Sequence, residues 1–257
     1  MANEKKIGFG TMDIKVEQMD DAISKAFNVG YDFIDTAGIY ENEKAVGQAI
    51  IKAKTPHFKI QTKIWPDHFK NIEQQFEKQL KDLGRNRVWS LLLHRPSIDM
   101  KDTLYAWKKM IQFKKEGMVE RIGVSNFDKD MINMLIKYTG VKPEINQIEF
   151  SIQNLREDRT YFSKHEGIEV QGWGCLGIHI KDMEAVKEMA VKYEVTWSDI
   201  AISFVSSQNI TPIVKSSDIR RIEQNYKASN LILSSDDIIE LKKLNLFANK
   251  HEETFTY

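Results

Sequence analysis

Four residues in the first hundred positions of this 257-residue chain could together move a proton: Asp35, Tyr40, Lys63 and His94. Asp35 follows the apolar Phe33-Ile34, and Tyr40 lies five positions later, past Gly38. Lys63 stands in Gln61-Thr62-Lys63-Ile64-Trp65, and His94 follows Leu91-Leu92-Leu93. A free phenol titrates near pH ~10 and is a poor acid at neutrality. An ammonium beside it stabilises the phenolate and lowers that value. A buried lysine in turn needs a counter-charge, which Asp35 can supply, and His94 can orient a carbonyl and share the proton. The set suits proton delivery to an oxygen on which negative charge develops. A carbonyl receiving a hydride is such a case, and the hydride must come from a cofactor. Taken singly, each residue has a plainer reading: Asp35 as a helix cap, Tyr40 as a loop aromatic, Lys63 as a solvated strand end, His94 as a loop hydrogen-bonder. Four complementary types at neighbouring strand ends argue for a shared task.

The elements that must position them alternate regularly. Short apolar runs at 7–12, 31–36, 58–64, 88–93, 121–124, 144–150, 168–173 and 210–215 read as strands. Between them lie stretches with apolar residues at helical spacing: Val16, Met19, Ile23, Ala26 and Phe27 before Gly30; Ala45, Val46, Ala49 and Ile50; Phe69, Ile72, Phe76, Leu80 and Leu83 before Gly84; Leu104, Trp107 and Ile111 before Gly117. Asp128 is placed to cap a helix carrying Met131, Leu135 and Tyr138. A weak helix falls within 154–165, a longer helical insert at 182–207, and two further helices at 218–227 and 235–244; a polar tail runs over 247–257. The strands read as continuous apolar runs, as in a parallel sheet covered by helices. Eight strand–helix units with no linker predict a single (β/α)8 barrel domain over 1–257, an α/β TIM barrel, with a doubly wound open sheet as the alternative. Against the open sheet, Gly8-Phe9-Gly10-Thr11-Met12-Asp13 lacks the third glycine of a dinucleotide fingerprint. Active sites of barrels form at the C-terminal strand ends, where Asp35, Lys63 and His94 fall on three consecutive strands about 4.8 Å apart.

Composition narrows the partners. Thirty-seven basic and 37 acidic side chains cancel, which gives no electrostatic footprint for nucleic acid or a membrane surface. The single cysteine, Cys175, excludes an internal disulfide and fits a reducing compartment. The charged start, Met1-Ala2-Asn3-Glu4-Lys5-Lys6, leads into no apolar signal segment, and no apolar run is long enough to cross a bilayer. A cytoplasmic monomer acting on a small molecule is expected. The six histidines, His57, His68, His94, His165, His179 and His251, form no short-range ligand pair, so no metal is expected.

Several motifs together resemble the aldo-keto reductase family: Asp35-Thr36-Ala37 with Tyr40, Glu43 and Gly47; Thr62-Lys63-Ile64-Trp65; Leu93-His94-Arg95-Pro96; Gly123-Val124-Ser125-Asn126-Phe127; Asn146-Gln147-Ile148-Glu149-Phe150; and Val214-Lys215-Ser216. The likeness covers nearly the whole chain and points to compact, microbial, diketogluconate-reductase-like carbonyl reductases. It implies a (β/α)8 barrel that binds NADPH, or alternatively NADH, across its mouth and reduces aldehydes or ketones. By position it makes Tyr40 the proton donor, Lys63 the modulator of its pKa, Asp35 the partner of the lysine and His94 the carbonyl-orienting group. Ser125, Asn126 and Gln147 would bind the nicotinamide carboxamide, and Trp173 would stack on its ring, unless it is a core tryptophan. Thr11, Gly174 and Leu176 would also meet the cofactor, the last two along the pyrophosphate. Lys215, Ser216 and Arg221 would hold the adenosine 2′-phosphate at a helix N-terminus, with Gln224 and Asn225 at the adenine; one of Arg220 and Arg221 would be solvated.

The departures concern the cofactor and the substrate. Gln224 stands where the family usually has glutamate, and Asp218 lies close enough to a 2′-phosphate to repel it. Met12 replaces a common aromatic and Arg95 a common tryptophan. With Trp65 they would shape a pocket for polar or anionic substrates. The N-terminal hairpin common in the family is not expected, and the C-terminal tail is short. Two other functions compete: a cofactor-binding regulatory subunit, and a cofactor-free lyase or isomerase that uses Lys63 as a Schiff base.

Overall fold

The computed structural model describes residues 6–246. Eight parallel strands close into a barrel in sequence order: β1 (Gly8–Gly10), β2 (Phe33–Asp35), β3 (Lys59–Ile64), β4 (Val88–Leu93), β5 (Val119–Ser125), β6 (Ile145–Glu149), β7 (Glu169–Trp173) and β8 (Thr211–Val214). Pairing of β1 with β8 closes the ring and removes the open sheet from consideration. The helices are α1 (Val16–Val29), α2 (Glu43–Lys52), α3 (Ile72–Asp82), α4 (Met100–Lys115), α5 (Lys129–Thr139), α6 (Glu157–His165), α7 (Glu184–Lys192), α8 (Trp197–Ser207), α9 (Ile219–Ser229) and α10 (Ser235–Lys242). The weak helix of the sequence is α6, and the long insert divides into a short 3-10 turn, α7 and α8. The expectations about an N-terminal hairpin and the C-terminal tail fall largely outside the described residues.

Strand limits differ from the apolar runs mainly at the barrel's first strands, where β1 and β2 each keep three residues. The lost ends make turns: Thr11 N donates to Asp35 O and Thr36 N to Gln61 O, so the chain is still tied to its neighbour as it leaves the barrel. Helical periodicity located the packed faces, with two exceptions in α1 and one, the exposed Tyr138, in α5. Met19, Ala22, Ile23 and Ala26 are buried, while Val16 and Phe27 lie on the exposed side. Gly30 ends α1 with φ 106°, a left-handed conformation in which its N–H reaches Ala26 O and Phe27 O. Asp128 accepts from Met131 N at 2.9 Å and caps α5 as expected. Gly47 is required by close approach: a Cβ there would stand 2.6 Å from Leu83 O, so glycine lets α2 pack on the end of α3.

The apolar look of the strands does not extend to every inward-facing position, although Phe33, Leu92 and Ile213 do face inward. In the register, Asp35 pairs with Gln61 and Gln147 with Gln171. These four side chains meet inside the barrel, all buried, together with Lys63. Bulky branched residues usually fill such a layer. Here a polar cluster fills it, just beneath the C-terminal mouth.

Candidate active site

Tyr40 is carried by a one-turn 3-10 helix, Gly38–Tyr40, that follows β2 and the extended Thr36-Ala37. Beneath it Lys63 is fully buried. An ammonium has three hydrogens, and all three are placed: on Asp35 Oδ2 at 2.7 Å, on Thr36 O at 3.0 Å and on Tyr40 Oη at 3.2 Å. Asp35 Oδ1 accepts from Gln61 Nε2 at 2.8 Å and Gln147 Nε2 at 2.9 Å, and both glutamines reach Gln171 Oε1. The ion pair is therefore fully hydrogen-bonded, the condition under which a buried pair is tolerated.

The electrostatics differ from the simple expectation for Tyr40. Burial raises the phenol's pKa above its ordinary value; Lys63 pulls it down, and Asp35 pushes it up again. The net direction is upward, so the phenol remains protonated and available as a donor. For Lys63, burial opposes the charge, but Asp35 and Tyr40 overcome it and the ammonium is held above its usual value. His94 is driven well below the ordinary imidazole range by burial, then by Lys63 and Arg95. It is neutral, and supplies an N–H rather than a charge. Its ring stands edge-to-face with Tyr40 and with Trp65, at centroid distances of 5.7 and 5.0 Å.

Tyr40 and His94 open into a cavity of about 590 Å³ at the mouth. Met12, Trp65 and Arg95 line it as expected, with the Arg95 guanidinium over the Trp65 ring at 5.5 Å. Ser125, Asn126, Gln147, Trp173, Gly174, Leu176 and Lys215 line it as well. Lys63 does not: it acts on the cavity through Tyr40 and Asp35, which do line it. Thr11 is also buried behind the wall, its hydroxyl on Asp35 O at 3.3 Å.

The wall formed by β5, β6 and β7 fits a nicotinamide. Trp173 remains 37% exposed although it lines a cavity, which leaves a large aromatic surface for a planar ring. Its indole N–H donates to Asn126 Oδ1 at 3.1 Å, and Asn126 Nδ2 donates to His94 O and Ser125 Oγ, both at 3.1 Å. Asn126 adopts a left-handed φ of 65° and is held by its N–H to Gln147 O and by Arg159, which donates to its carbonyl. Beyond β7, Gly174 and Gly177, both at positive φ, present backbone to the cavity.

The adenosine-side expectations fare differently. Among these residues only Lys215 lines the cavity; Ser216, Arg221, Gln224 and Asn225 do not. Gln224 is turned to Thr196 and Asp199, and Asn225 is buried. Residues that sequence reasoning missed include Gln61 and Gln171 in the polar cluster, and Glu149, Arg156 and Arg159 in the wall. Gln61 and Gln171 stand two positions before Lys63 and Trp173, on the same strand face, and that spacing was the available signal. No group of three potential metal-ligating side chains occurs among the described residues, and no described helix is long and apolar enough to cross a membrane.

The model of the Aldo/keto reductase family matches residues 6–246. Methylglyoxal reductase DkgA of Escherichia coli K12 is 33% identical over 246 residues, covering 93% of this chain and 89% of that protein. An NAD/NADP-dependent indole-3-acetaldehyde reductase of Schizosaccharomyces pombe is 30% identical, covering 96% of this chain and 93% of its own length. The solved structure of an aldo/keto reductase from Brucella melitensis superposes with a TM-score of 0.89 at 30% identity, covering 93% of each chain. With Asp35, Lys63 and Tyr40 joined by hydrogen bonds, His94 packed edge-to-face on Tyr40, and a cavity wall that fits a nicotinamide, these likenesses show that the chain belongs to the aldo/keto reductase family and is an NAD(P)H-dependent oxidoreductase.

Proposed function

We propose that the protein reduces small aldehydes or ketones to alcohols, with Tyr40 as the proton donor and NADPH or NADH as the source of the hydride. The observation that carries this reading is the use of the Lys63 ammonium. One of its hydrogens lies on the phenolic oxygen, so the phenol's own hydrogen is left for the cavity. When bound, a reduced nicotinamide supplies the hydride that attacks the carbonyl carbon. Tyr40 then gives its proton to the oxygen as charge develops there, and Lys63 with Asp35 stabilises the phenolate left behind. Neutral His94 offers an N–H to the same oxygen and fixes the direction of approach. Ser125 and Asn126 would hold the carboxamide, Gln147 would support them from the polar cluster, and Trp173 would offer its aromatic face to the ring. Arg95 and Trp65 favour substrates with a polar or anionic end.

The Schiff-base alternative loses its support, because Lys63 is charged, has all three hydrogens engaged and does not reach the cavity. The buried, unpaired Cys175 suits the cytoplasm. The first test is reduction of methylglyoxal, the substrate in the DkgA name, and of a panel of aldehydes with and without a carboxylate. Loss of reduced-nicotinamide absorbance that depends on the carbonyl supports the proposal. No turnover with any carbonyl, or borohydride trapping of substrate on Lys63, overturns it.

A further inference from the structure

This inference rests on the reductase reading and concerns which cofactor the mouth accepts. Barrels commonly bind phosphate with the loops after the seventh and eighth strands and a nearby helix N-terminus. In this chain that region comprises Lys215 after β8, Ser216 and the first turn of α9. Lys215, Ser216 and the first amides of α9 are already engaged by the protein itself, which leaves the Arg221 guanidinium, among the described residues, as the group not tied to an acid there. Asp218 caps α9: one carboxylate oxygen accepts from Arg220 N at 2.8 Å and Arg221 N at 3.4 Å, and the other takes the Arg220 guanidinium at 3.3 Å. Ser216 Oγ accepts from Asp218 N at 3.0 Å. Lys215 Nζ lies 3.2 Å from Asp13 Oδ2, the two being 202 residues apart in the chain. Gln224 is committed to Thr196 and Asp199 on the α8 side.

A phosphate placed here would have to displace a carboxylate from the helix amides and another from the lysine. The backbone N–H of Arg220 and then its side chain hold the Asp218 carboxyl below the usual range, so it remains an anion wherever the enzyme works. Against a dianionic phosphate this is repulsion at the point where the helix would otherwise attract. Against a ribose with a free 2′-hydroxyl it is a hydrogen-bond acceptor, the use that dinucleotide folds make of an acid near the ribose of NAD.

We propose that Asp218, assisted by Asp13 on Lys215, is the cofactor-discriminating residue of this reductase, and that it sets the adenosine end for NADH at least as well as for NADPH. Equilibrium titration of the protein with each cofactor, without substrate and followed by tryptophan fluorescence, tests this directly. The wild type is expected to bind NADH as tightly as NADPH or more tightly. Asp218→Thr keeps a capping hydroxyl and removes the charge. It is expected to tighten NADPH binding about tenfold relative to NADH, and Asp218→Asn, a neutral near-isostere, is expected to shift the ratio the same way. Ratios of kcat/KM for the two cofactors should follow. A wild type that binds NADPH ten times more tightly than NADH overturns the inference and leaves the reductase reading intact. So do two folded variants, unchanged in melting midpoint, with the wild-type ratio. If neither cofactor binds, the reductase reading falls and this inference with it.

Discussion

The catalytic pocket and the corner between β8 and α9 handle charge in opposite ways. At the catalytic end Lys63 and Asp35 are buried, paired at 2.7 Å and surrounded by three glutamines from β3, β6 and β7. At the β8–α9 corner, proposed to take the adenosine, Asp13 with Lys215 and Asp218 with Arg220 form looser pairs of 3.2 and 3.3 Å at or near the surface. Burial makes the first set expensive to disturb, since removing one member of a desolvated pair strands the other. Exposure makes the second set cheap to rearrange, because water and salt replace a lost partner at a cost of about 0–1 kcal/mol. Fixed geometry therefore belongs with the chemistry, and adjustable selectivity with the exposed end.

Substitutions at the catalytic end should do the most to sharpen this contrast. Tyr40→Phe removes the proposed proton donor and should lower kcat for carbonyl reduction by about a thousandfold, while fluorescence titration still shows cofactor binding. Loss of binding with kcat would mean that Tyr40 shapes the cofactor wall instead. Asp35→Asn leaves Lys63 charged in a dry interior and should cost about 3–5 kcal/mol. For a chain of this size that is a fall of roughly 10 °C in melting midpoint. A shift no larger than that of a surface variant would place the buried pair outside the stability core.

Glu43 gives a third, pH-dependent test behind the same site. It is buried at the start of α2, accepts from Thr62 Oγ1 at 2.5 Å and Gln79 Nε2 at 3.1 Å, and is pushed up by burial to about 7. Gln79 Nε2 also reaches Lys63 O at 3.1 Å, so the cluster supports the strand that carries the lysine. A carboxyl raised from 4.5 to about 7 on folding contributes stability that is complete below pH 4.5 and is lost as pH rises through 7. That loss amounts to about 3 kcal/mol. Glu43→Gln keeps an acceptor for both donors. Denaturant unfolding at pH 5 and pH 8 should show the wild type losing stability between them and the variant losing much less; equal slopes would refute the buried-carboxylate account. The cofactor ratio at Asp218, about tenfold, comes next in size. Arg95→Ala should have the smallest effect, a severalfold rise in KM for carboxylate-bearing aldehydes with neutral ones unchanged.

Much of this molecule was legible along the chain, for reasons that differ by element. Alternating apolar runs and amphipathic helices, stopped by Gly30 and capped by Asp128, require only local physics. The tetrad was legible because strand ends of a barrel share one rim, so residue types at successive ends already imply a neighbourhood. The polar cluster was less visible. Gln61 and Gln171 lie 110 positions apart, and only ring closure makes them neighbours. The sign of the Tyr40 shift also depended on tertiary burial, which outweighs the nearby lysine.

By itself, then, the sequence determined the barrel, the rim on which chemistry would occur and the four residues that could perform it, since each follows from local periodicity and from the order of strands. The tertiary structure alone decided which charges meet. It closed Lys63 on Asp35 away from water, gave Lys215 to Asp13 from the far end of the chain, and turned Asp218 back onto the amides of α9. Coulomb and desolvation energies depend on distance and burial, and neither is written in the spacing of residues along the chain.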